Sequence, residues 1–355
     1  MDLLLHIGTG KTGTSTLQQF LFDASKQYSL FNYPDIGDAV HHGMLAVSFL
    51  KRSRDLPRMY KSHLGEHWHS EGEKYKLKLI RELNKSEGRL TILSSDYLFA
   101  MPSPCPKELL EFLQGVLCTA SMGIACYIRD PVSYYLSFLQ QKLKASRRII
   151  DPCEQFYSVR EIYRAWNIDM PSTKLTLHFR QFMPLQHSRK EGESGWSIVD
   201  DFWKTFVSSD TGPPRLDQAS SRDINLSLSA EAMILLHRFQ TNQDPKSDNR
   251  YTRPKRLFLQ QLINAQNLVS GLTRPVCSRH VARMICSAYR DEFDWIHKNK
   301  IVELAYLSDS VLHLSTGRSS NAPPNEKMDL EEILEYYSPN RLRLLEEAVD
   351  ACDGM

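Results

Sequence analysis

Short apolar runs alternate along the first half of the chain with longer stretches in which apolar positions recur every three to four residues. Runs of four to eight apolar residues are typical of buried strands, and the periodic stretches are typical of helices with one buried side. Strands that alternate with helices favour a central parallel sheet flanked by helices. The predicted strands are residues 3–8, 90–95, 123–128 and 174–180.

The pattern changes after about residue 225, where mainly helical periodicity remains. A chain of 355 residues has room for two or three domains. Because the strands and helices alternate without a break, we predict one domain over residues 1–355. It consists of an α/β core over 1–225 and a mainly helical extension over 226–355.

The composition is that of a globular protein, with 41% hydrophobic and 24% charged residues. The net charge of +2 indicates no particular partner, and no regular interleaving of basic and aromatic residues points to nucleic acid. No stretch approaches the ~20 apolar residues that a membrane span needs. We therefore expect no nucleic-acid partner and no membrane span.

Two further features predict a cytoplasmic protein. The chain enters its first strand directly after Met1-Asp2, without the basic start and cleavage site of a signal peptide. Its seven cysteines are scattered and form no Cys-x-x-Cys pair. An odd, scattered set fits reduced thiols better than a disulfide framework or a zinc site.

The first strand breaks at Gly8 into a loop of glycines, hydroxylated residues and one lysine, and an amphipathic helix starts near Ser15. A strand, a glycine-rich turn and a helix N-terminus together form an anion site, because backbone N–H groups and the positive end of the helix dipole meet there. Lys11 adds a full charge, and the hydroxyls add donors. We predict a phosphate-bearing nucleotide, bound by Gly10, Lys11, Thr12, Gly13, Thr14 and Ser15.

This loop departs from the common nucleoside-triphosphate loop G-x-x-x-x-G-K-[ST], since Leu5 stands where the first glycine would fall. It resembles the 5′-phosphosulfate loop of sulfotransferases that use 3′-phosphoadenosine 5′-phosphosulfate (PAPS). The resemblance implies a P-loop NTPase-like sulfotransferase fold with PAPS as the cofactor. It also implies that Lys11 stabilises the leaving oxygen during transfer.

A second motif follows the predicted strand that ends at Ile128. Arg129-Asp130-Pro131 ends this strand, and Pro131 suits the first turn of a helix. Ser137 lies eight residues after Arg129, about two turns into that helix, so the two side chains could grip one phosphate from two sides. The same sulfotransferases hold the cofactor's 3′-phosphate with a similar Arg-x-Pro…Ser arrangement. The resemblance assigns that role to Arg129 and Ser137.

Weaker similarities at residues 90–96, 175–182, 196–207 and 225–229 extend the resemblance over most of the chain. Near the C-terminus, residues 315–320 form a loop containing glycine and arginine. Cytosolic sulfotransferases close a basic, glycine-containing loop over the 3′-phosphate, which makes Arg318 a candidate contact. The alternative is a polar linker before the final helices.

An acceptor also needs a general base, and no motif selects one. His41 and His42 precede an apolar helix, and imidazole is suited to proton transfer near neutral pH. Asp96 follows the strand at 90–95, where active-site groups gather in open α/β sheets. We place the histidines ahead of Asp96. The alternatives are a surface helix start for the histidines and a helix cap for Asp96.

We therefore predict an enzyme, a sulfotransferase that moves a sulfuryl group from PAPS to a hydroxyl or amine of a small-molecule or saccharide acceptor. Catalysis of this kind requires no metal, because the leaving group is a single phosphate surrounded by donors. Two alternatives remain. One is a kinase using Mg-ATP, with Asp130 holding the metal; the other is a non-catalytic nucleotide-binding protein on the same fold.

Overall fold

The described chain forms two compact units. The computed structural model describes residues 2–37, 40–86, 88–154, 157–183, 196–214, 227–242, 253–301 and 328–353. The first unit comprises the described residues of Met1–Arg129, Ser158–Gln218 and Trp295–Glu303, and the second those of Asp130–Tyr157, Ala219–Asp294 and Leu304–Met355.

A five-stranded, all-parallel sheet with strand order β2-β3-β1-β4-β5 forms the centre of the first unit. Its strands are β1 (Leu3–His6), β2 (Phe31–Asn32), β3 (Leu90–Ser94), β4 (Ser121–Arg129) and β5 (Lys174–Phe182). The predicted parallel sheet flanked by helices is confirmed, and all four predicted strands belong to it. The sequence pattern does not reveal β2, because a two-residue strand is too short to show a periodicity.

Helices cover the sheet, which explains why its strands read as continuous apolar runs. The helical segments of this unit are α1 (Thr14–Gln27), α2 (Gly43–Val47), α3 (Arg58–Leu64), α4 (Trp68–Leu83), α5 (Cys105–Leu117), α7 (Val159–Trp166) and α8 (Ile198–Phe202), with 3₁₀ turns at Ser53–Asp55 and Gly65–His67 and a π-helical turn at Trp203–Val207. Leu17 of α1 and Phe202 of α8 share one core with Leu4 of β1. Leu3 and Leu5 point to the opposite face and are also fully buried.

The second unit is built of helices. They are α6 (Pro131–Ala145), α9 (Ala230–Thr241), α10 (Arg253–Leu268), α11 (Arg279–Ala288), the start of α12 (Arg290–Lys298), α13 (Leu330–Ile333) and α14 (Pro339–Asp353). Its core joins Leu139 of α6 to residues such as Leu236, Leu262 and Leu345. The helical character expected beyond residue 225 is thus present, although α6 groups with these helices rather than with the sheet. That both units make one domain stays a prediction. Of the helices described, none has the length and apolar character to cross a membrane.

The central position of β1 determines which edge of the sheet can hold a functional site. The chain adds β2 and β3 on one side of β1, and then β4 and β5 on the other. In open parallel sheets, ligands bind outside the carboxyl ends of the strands at the point where the strand order reverses. The segments that follow β1 and β3, together with the last residue of β4, meet at this edge.

Candidate functional site

The loop after β1 has an unusual backbone. Lys11 adopts a left-handed conformation with φ 70°, and so does Gly13 with φ 72°. Glycine tolerates this region, but a lysine there is strained and requires surrounding contacts to hold it. Left-handed residues within a tight turn are typical of the backbone nests that bind anions. The backbone therefore supports the predicted anion site.

The loop leads directly into α1. Gly13 is the N-cap of this helix and supplies no side-chain cap, and the first turn contains no acidic residue. The first N–H groups of a helix have no intrahelical acceptors, and the helix dipole places partial positive charge on them. The start of α1 therefore adds to the positive potential of the loop.

Two of the predicted hydroxyl donors point into the loop's own backbone. Thr12 is buried, and its Oγ1 donates to the Thr9 carbonyl at 2.7 Å. Thr14 donates to the same carbonyl at 3.4 Å, and Thr9 itself donates to the Tyr127 carbonyl at 2.9 Å. These hydroxyls brace the loop, which differs from the predicted role of Thr12 and Thr14 hydroxyls as phosphate donors. Ser15 is exposed at the start of α1.

The three glycines of the loop differ in what surrounds them. A Cβ at Gly8 would overlap the Thr14 hydroxyl, and one at Gly13 would lie 3.2 Å from Ile198 Cγ2. A Cβ at Gly10 would meet nothing within 4 Å. Gly8 and Gly13 are therefore required by packing or conformation, whereas Gly10 borders open space from which a ligand can approach.

Arg129, the last residue of β4, contacts this loop. Its Nη1 donates to the Lys11 carbonyl at 2.6 Å, and its guanidinium carbon lies 5.5 Å from the centre of the Phe182 ring. Arg129 and Phe182 are register partners in the pairing of β4 with β5. The structure thus brings Lys11 and Arg129 together. Ser137 lies on α6 in the second unit, and its pairing with Arg129 on one phosphate stays a prediction.

Two aromatic rings, Phe182 and Trp196, form an aromatic wall beside the loop. Their centres are 5.2 Å apart in an edge-to-face arrangement. Phe182 would lie 3.4 Å from a Cβ at Gly13, and both rings are half-buried. No local signal in the sequence reveals this wall, because its members come from β5 and from the segment before α8.

Asp96 lies just beyond the end of β3 and is exposed to solvent. The surrounding protein atoms nevertheless raise the pKa of its carboxyl above the ordinary value, while its own backbone N–H and the charges of His41 and Lys11 oppose that shift. Asp96, His41 and Lys11 are therefore close enough at the carboxyl edge of the sheet for their charges to interact.

His42 is buried, and both of its ring nitrogens have backbone partners. Its Nδ1 accepts the Ser94 N–H at 2.9 Å, so the proton of the neutral ring is on Nε2, which bonds the Pro34 carbonyl at 2.9 Å. Burial lowers the pKa of His42 to about 4. This geometry argues against the predicted role of His42 as the base. The residue instead fastens the end of β3 to the segment at Pro34.

His41 is half-buried, and its Nδ1 accepts the Gly43 N–H at 3.1 Å. The neutral ring therefore carries its proton on Nε2, where it can donate but cannot accept. Asp96 has only acceptor atoms when ionised. Of the three predicted base candidates, Asp96 is the one whose exposed side chain presents acceptor atoms for a proton.

A buried histidine on β1 supports the same turn. His6 is fully buried, and its Nδ1 lies 2.8 Å from the Ser94 hydroxyl. Burial lowers the pKa of His6 to about 3, so its ring is neutral at physiological pH. Ser94 therefore links His6 to His42, directly before the turn that carries Asp96.

Two tyrosines that the sequence pattern does not indicate lie near Asp96. Tyr60 of α3 and Tyr97 have ring centres 5.3 Å apart. Burial raises the pKa of each hydroxyl, and the Asp96 charge adds to the shift in both. Tyr97 could have been noticed as the neighbour of Asp96 in the chain, but nothing local indicates that α3 packs here.

The remaining candidates lie elsewhere. Asp130 caps α6 by accepting the Ser133 N–H at 2.9 Å and also the Ser133 hydroxyl, so its carboxylate already has a structural role. Arg318 lies outside the described residues. Within the described ranges, no cluster of three or more histidine, cysteine or acidic side chains could hold a metal ion.

Comparisons with protein-family models, with curated proteins and with solved structures found no match. The functional interpretation therefore rests on the residues of the carboxyl edge and on their geometry.

Proposed function

We propose that this protein is a PAPS-dependent sulfotransferase with a P-loop NTPase-like fold. It would transfer a sulfuryl group to a hydroxyl or amine of a small-molecule or saccharide acceptor and release adenosine 3′,5′-bisphosphate. The observation that carries the proposal is the contact between the two cationic motifs. Lys11 lies in the loop over residues 7–13 between β1 and α1, which we call the anion loop, and Arg129 lies at the end of β4. The two residues meet at the carboxyl edge of the sheet.

In this proposal the 5′-phosphate of the cofactor occupies the loop. During transfer, the acceptor oxygen or nitrogen forms a bond to sulfur while the bond from sulfur to the 5′-phosphate oxygen breaks. Negative charge grows on that leaving oxygen, and Lys11 together with the N–H groups of the loop and of α1 stabilises it. Such preorganised donors are a major source of rate enhancement, and the transfer resembles phosphoryl transfer in this respect.

Asp96 is the proposed general base. It takes the proton that the acceptor loses, and its raised pKa brings it closer to the operating pH, where a base is most efficient. The hydrogen bonds of His42 and His6 to Ser94 would keep the Asp96 turn beside Lys11. Ser15, with its exposed hydroxyl, is the remaining side-chain donor proposed for the 5′-phosphate.

The aromatic wall supports a nucleotide ligand. Phe182 and Trp196 lie beside Gly13 and Arg129, and aromatic faces stack favourably on nucleobases. Arg129 and Ser137 remain the proposed contacts of the 3′-phosphate, with Arg318 as a further candidate. That phosphate is what distinguishes PAPS from the common nucleotides.

The first test is a thermal-shift titration of the full chain with adenosine 3′,5′-bisphosphate, with ADP, and with ATP plus Mg²⁺. A ligand that binds only the folded state raises the midpoint according to its concentration relative to its Kd. We expect stabilisation by the bisphosphate in the presence of EDTA. Stabilisation by Mg-ATP alone would favour the kinase instead, and no shift with any ligand would contradict the proposal.

Activity is then measured as transfer of labelled sulfuryl from PAPS to a panel of hydroxyl and amine acceptors. We expect Lys11→Ala to lose most turnover while keeping part of the bisphosphate affinity. Lys74→Ala, which removes an exposed lysine paired with Glu71 on α4, is the matched control. Binding of the bisphosphate without transfer to any acceptor would identify the non-catalytic alternative.

A further inference from the structure

The strained backbone of the anion loop needs something to hold it. Lys11 is a non-glycine residue with φ 70°, a conformation that persists only where neighbouring contacts favour it. Hydrogen bonds fasten the loop to the end of β4. Thr9 donates to the Tyr127 carbonyl, and Arg129 donates to the Lys11 carbonyl at 2.6 Å.

The bond from Arg129 acts on the strained residue itself. A guanidinium donor makes a charge-assisted hydrogen bond, which is stronger than a neutral one. The peptide between Lys11 and Thr12 is planar and trans, so its carbonyl and its N–H point in opposite directions. By holding the Lys11 carbonyl, Arg129 therefore also fixes the direction of the Thr12 N–H.

The Arg129 side chain is itself held in place. Its guanidinium lies over the Phe182 ring, and the two residues are side by side in the paired strands β4 and β5. Phe182 in turn packs against Trp196 and lies close to Gly13. The donor is thus preorganised by the sheet, whereas the loop it contacts is the strained partner.

We propose that Arg129 is a positioning residue for the 5′-anion loop, in addition to its proposed contact with the 3′-phosphate. It presets the Lys11–Thr12 peptide so that the loop is ready to receive an anion. The inference rests on the proposed nucleotide function. Its distinctive consequence is that Arg129 contributes to the binding of nucleotides that have no 3′-phosphate at all.

The test measures the affinities of AMP and of adenosine 3′,5′-bisphosphate by calorimetry for wild type, Arg129→Gln and Arg129→Lys. We expect Arg129→Gln to weaken AMP binding by roughly three- to tenfold, the range that one net hydrogen bond corresponds to. The bisphosphate should lose roughly 30-fold or more, because a contact to a charged group is lost as well. The Gln side chain is neutral and too short to replace the guanidinium donor, whereas Arg129→Lys keeps a long, charged donor for the Lys11 carbonyl and should restore AMP affinity to within about twofold, without restoring the bisphosphate fully.

Amide hydrogen exchange provides a readout that needs no ligand. Arg129→Gln should speed exchange in residues 10–14 and leave β1 and β4 protected. Arg52→Gln, which removes an exposed arginine paired with Asp55, is the control for the loss of one positive charge. It should change neither the affinities nor the exchange of the loop.

Two results would overturn the inference. One is an unchanged AMP affinity in Arg129→Gln while bisphosphate affinity falls, which would make Arg129 a ligand contact only. The other is faster exchange throughout the sheet, which would make it a general contributor to stability. If wild type binds neither nucleotide, the proposed function fails, and the exchange comparison still decides whether Arg129 holds the loop.

Discussion

The Thr12 hydroxyl donates to the Thr9 carbonyl at 2.7 Å, and so closes the anion loop on itself. Thr9 extends this fastening to β4 through its bond to the Tyr127 carbonyl. From the sequence, the threonine hydroxyls of a loop that contains glycine and lysine are predicted to donate hydrogen bonds to a ligand. Here Thr12 stabilises the loop that presents the backbone donors, and the exposed hydroxyl belongs to Ser15.

This arrangement predicts opposite behaviour for two hydroxyl deletions. Thr12→Ala removes a buried hydrogen bond and should lower the free energy of unfolding by about 1–3 kcal/mol. Thr12→Ser keeps the hydroxyl and should recover most of that loss. Ser15→Ala should leave stability within about 0.5 kcal/mol and weaken bisphosphate binding. Denaturant titration and calorimetry give the two quantities. Equal destabilisation by Thr12→Ser and Thr12→Ala would show that the hydroxyl is not what matters.

The glycines of the loop provide a second matched pair. Gly13 has φ 72° and a neighbour 3.2 Å from the position of a Cβ, so Gly13→Ala should destabilise the fold by roughly 1–3 kcal/mol. A Cβ at Gly10 meets nothing within 4 Å, and Gly10→Ala should leave the melting temperature nearly unchanged. Because Gly10 borders the open side of the loop, its alanine variant should instead weaken nucleotide binding. A large drop in melting temperature for Gly10→Ala would contradict this view.

Two buried histidines make stability depend on pH. Burial lowers the pKa of His6 to about 3 and that of His42 to about 4, whereas both titrate near 6.5 in the unfolded chain. Below pH 6.5 the unfolded state therefore binds more protons, and the folded state loses stability as the pH falls towards 4. Each histidine should cost about 2 kcal/mol at pH 5 relative to pH 7.

Unfolding free energies measured from pH 5 to pH 8 test this dependence. His42→Asn removes one titrating group and should reduce the loss of stability between pH 7 and pH 5 by about 2 kcal/mol. An unaltered slope in His42→Asn would mean that His42 is not the neutral, buried group that its hydrogen bonds indicate.

Substitutions of Asp96 and of His42 should have different effects on turnover and on its pH dependence. Asp96→Asn removes the proposed base and should reduce turnover by about 10²–10⁴-fold, with a small effect on bisphosphate affinity. It should also abolish the acidic limb of the pH–rate profile, which reports the ionisation of Asp96. His42→Asn should keep that limb. A normal profile in Asp96→Asn would place the base on another residue.

The strands and the glycine- and lysine-containing loop between β1 and α1 could be predicted from the sequence because each is a continuous local pattern. The hydrogen bond from Arg129 to the Lys11 carbonyl could not be predicted, because it depends on tertiary packing and the sequence motif pairs Arg129 with Ser137 instead. The choice among the base candidates could not be predicted from the sequence. It depends on the hydrogen bonds that the Ser94 N–H and the Pro34 carbonyl make with the two ring nitrogens of His42. The aromatic wall could not be predicted from the sequence either, since Trp196 contacts Phe182 only through tertiary packing.

The central position of β1 also determines at which stage of synthesis the loop after β1 can adopt its folded conformation. Leu3 of β1 pairs with Thr91 on one side and with Met122 on the other. The loop that follows β1 is synthesised before β4, and Tyr127 and Arg129, which fasten it, emerge more than a hundred residues later. A nascent chain halted before β4 would carry the complete glycine–lysine motif but would lack the Tyr127 and Arg129 contacts that hold the loop in its folded conformation. Under the proposed function, nucleotide binding by translation intermediates would therefore begin only after β4 has left the exit tunnel, and it would report the folding of the sheet up to that strand.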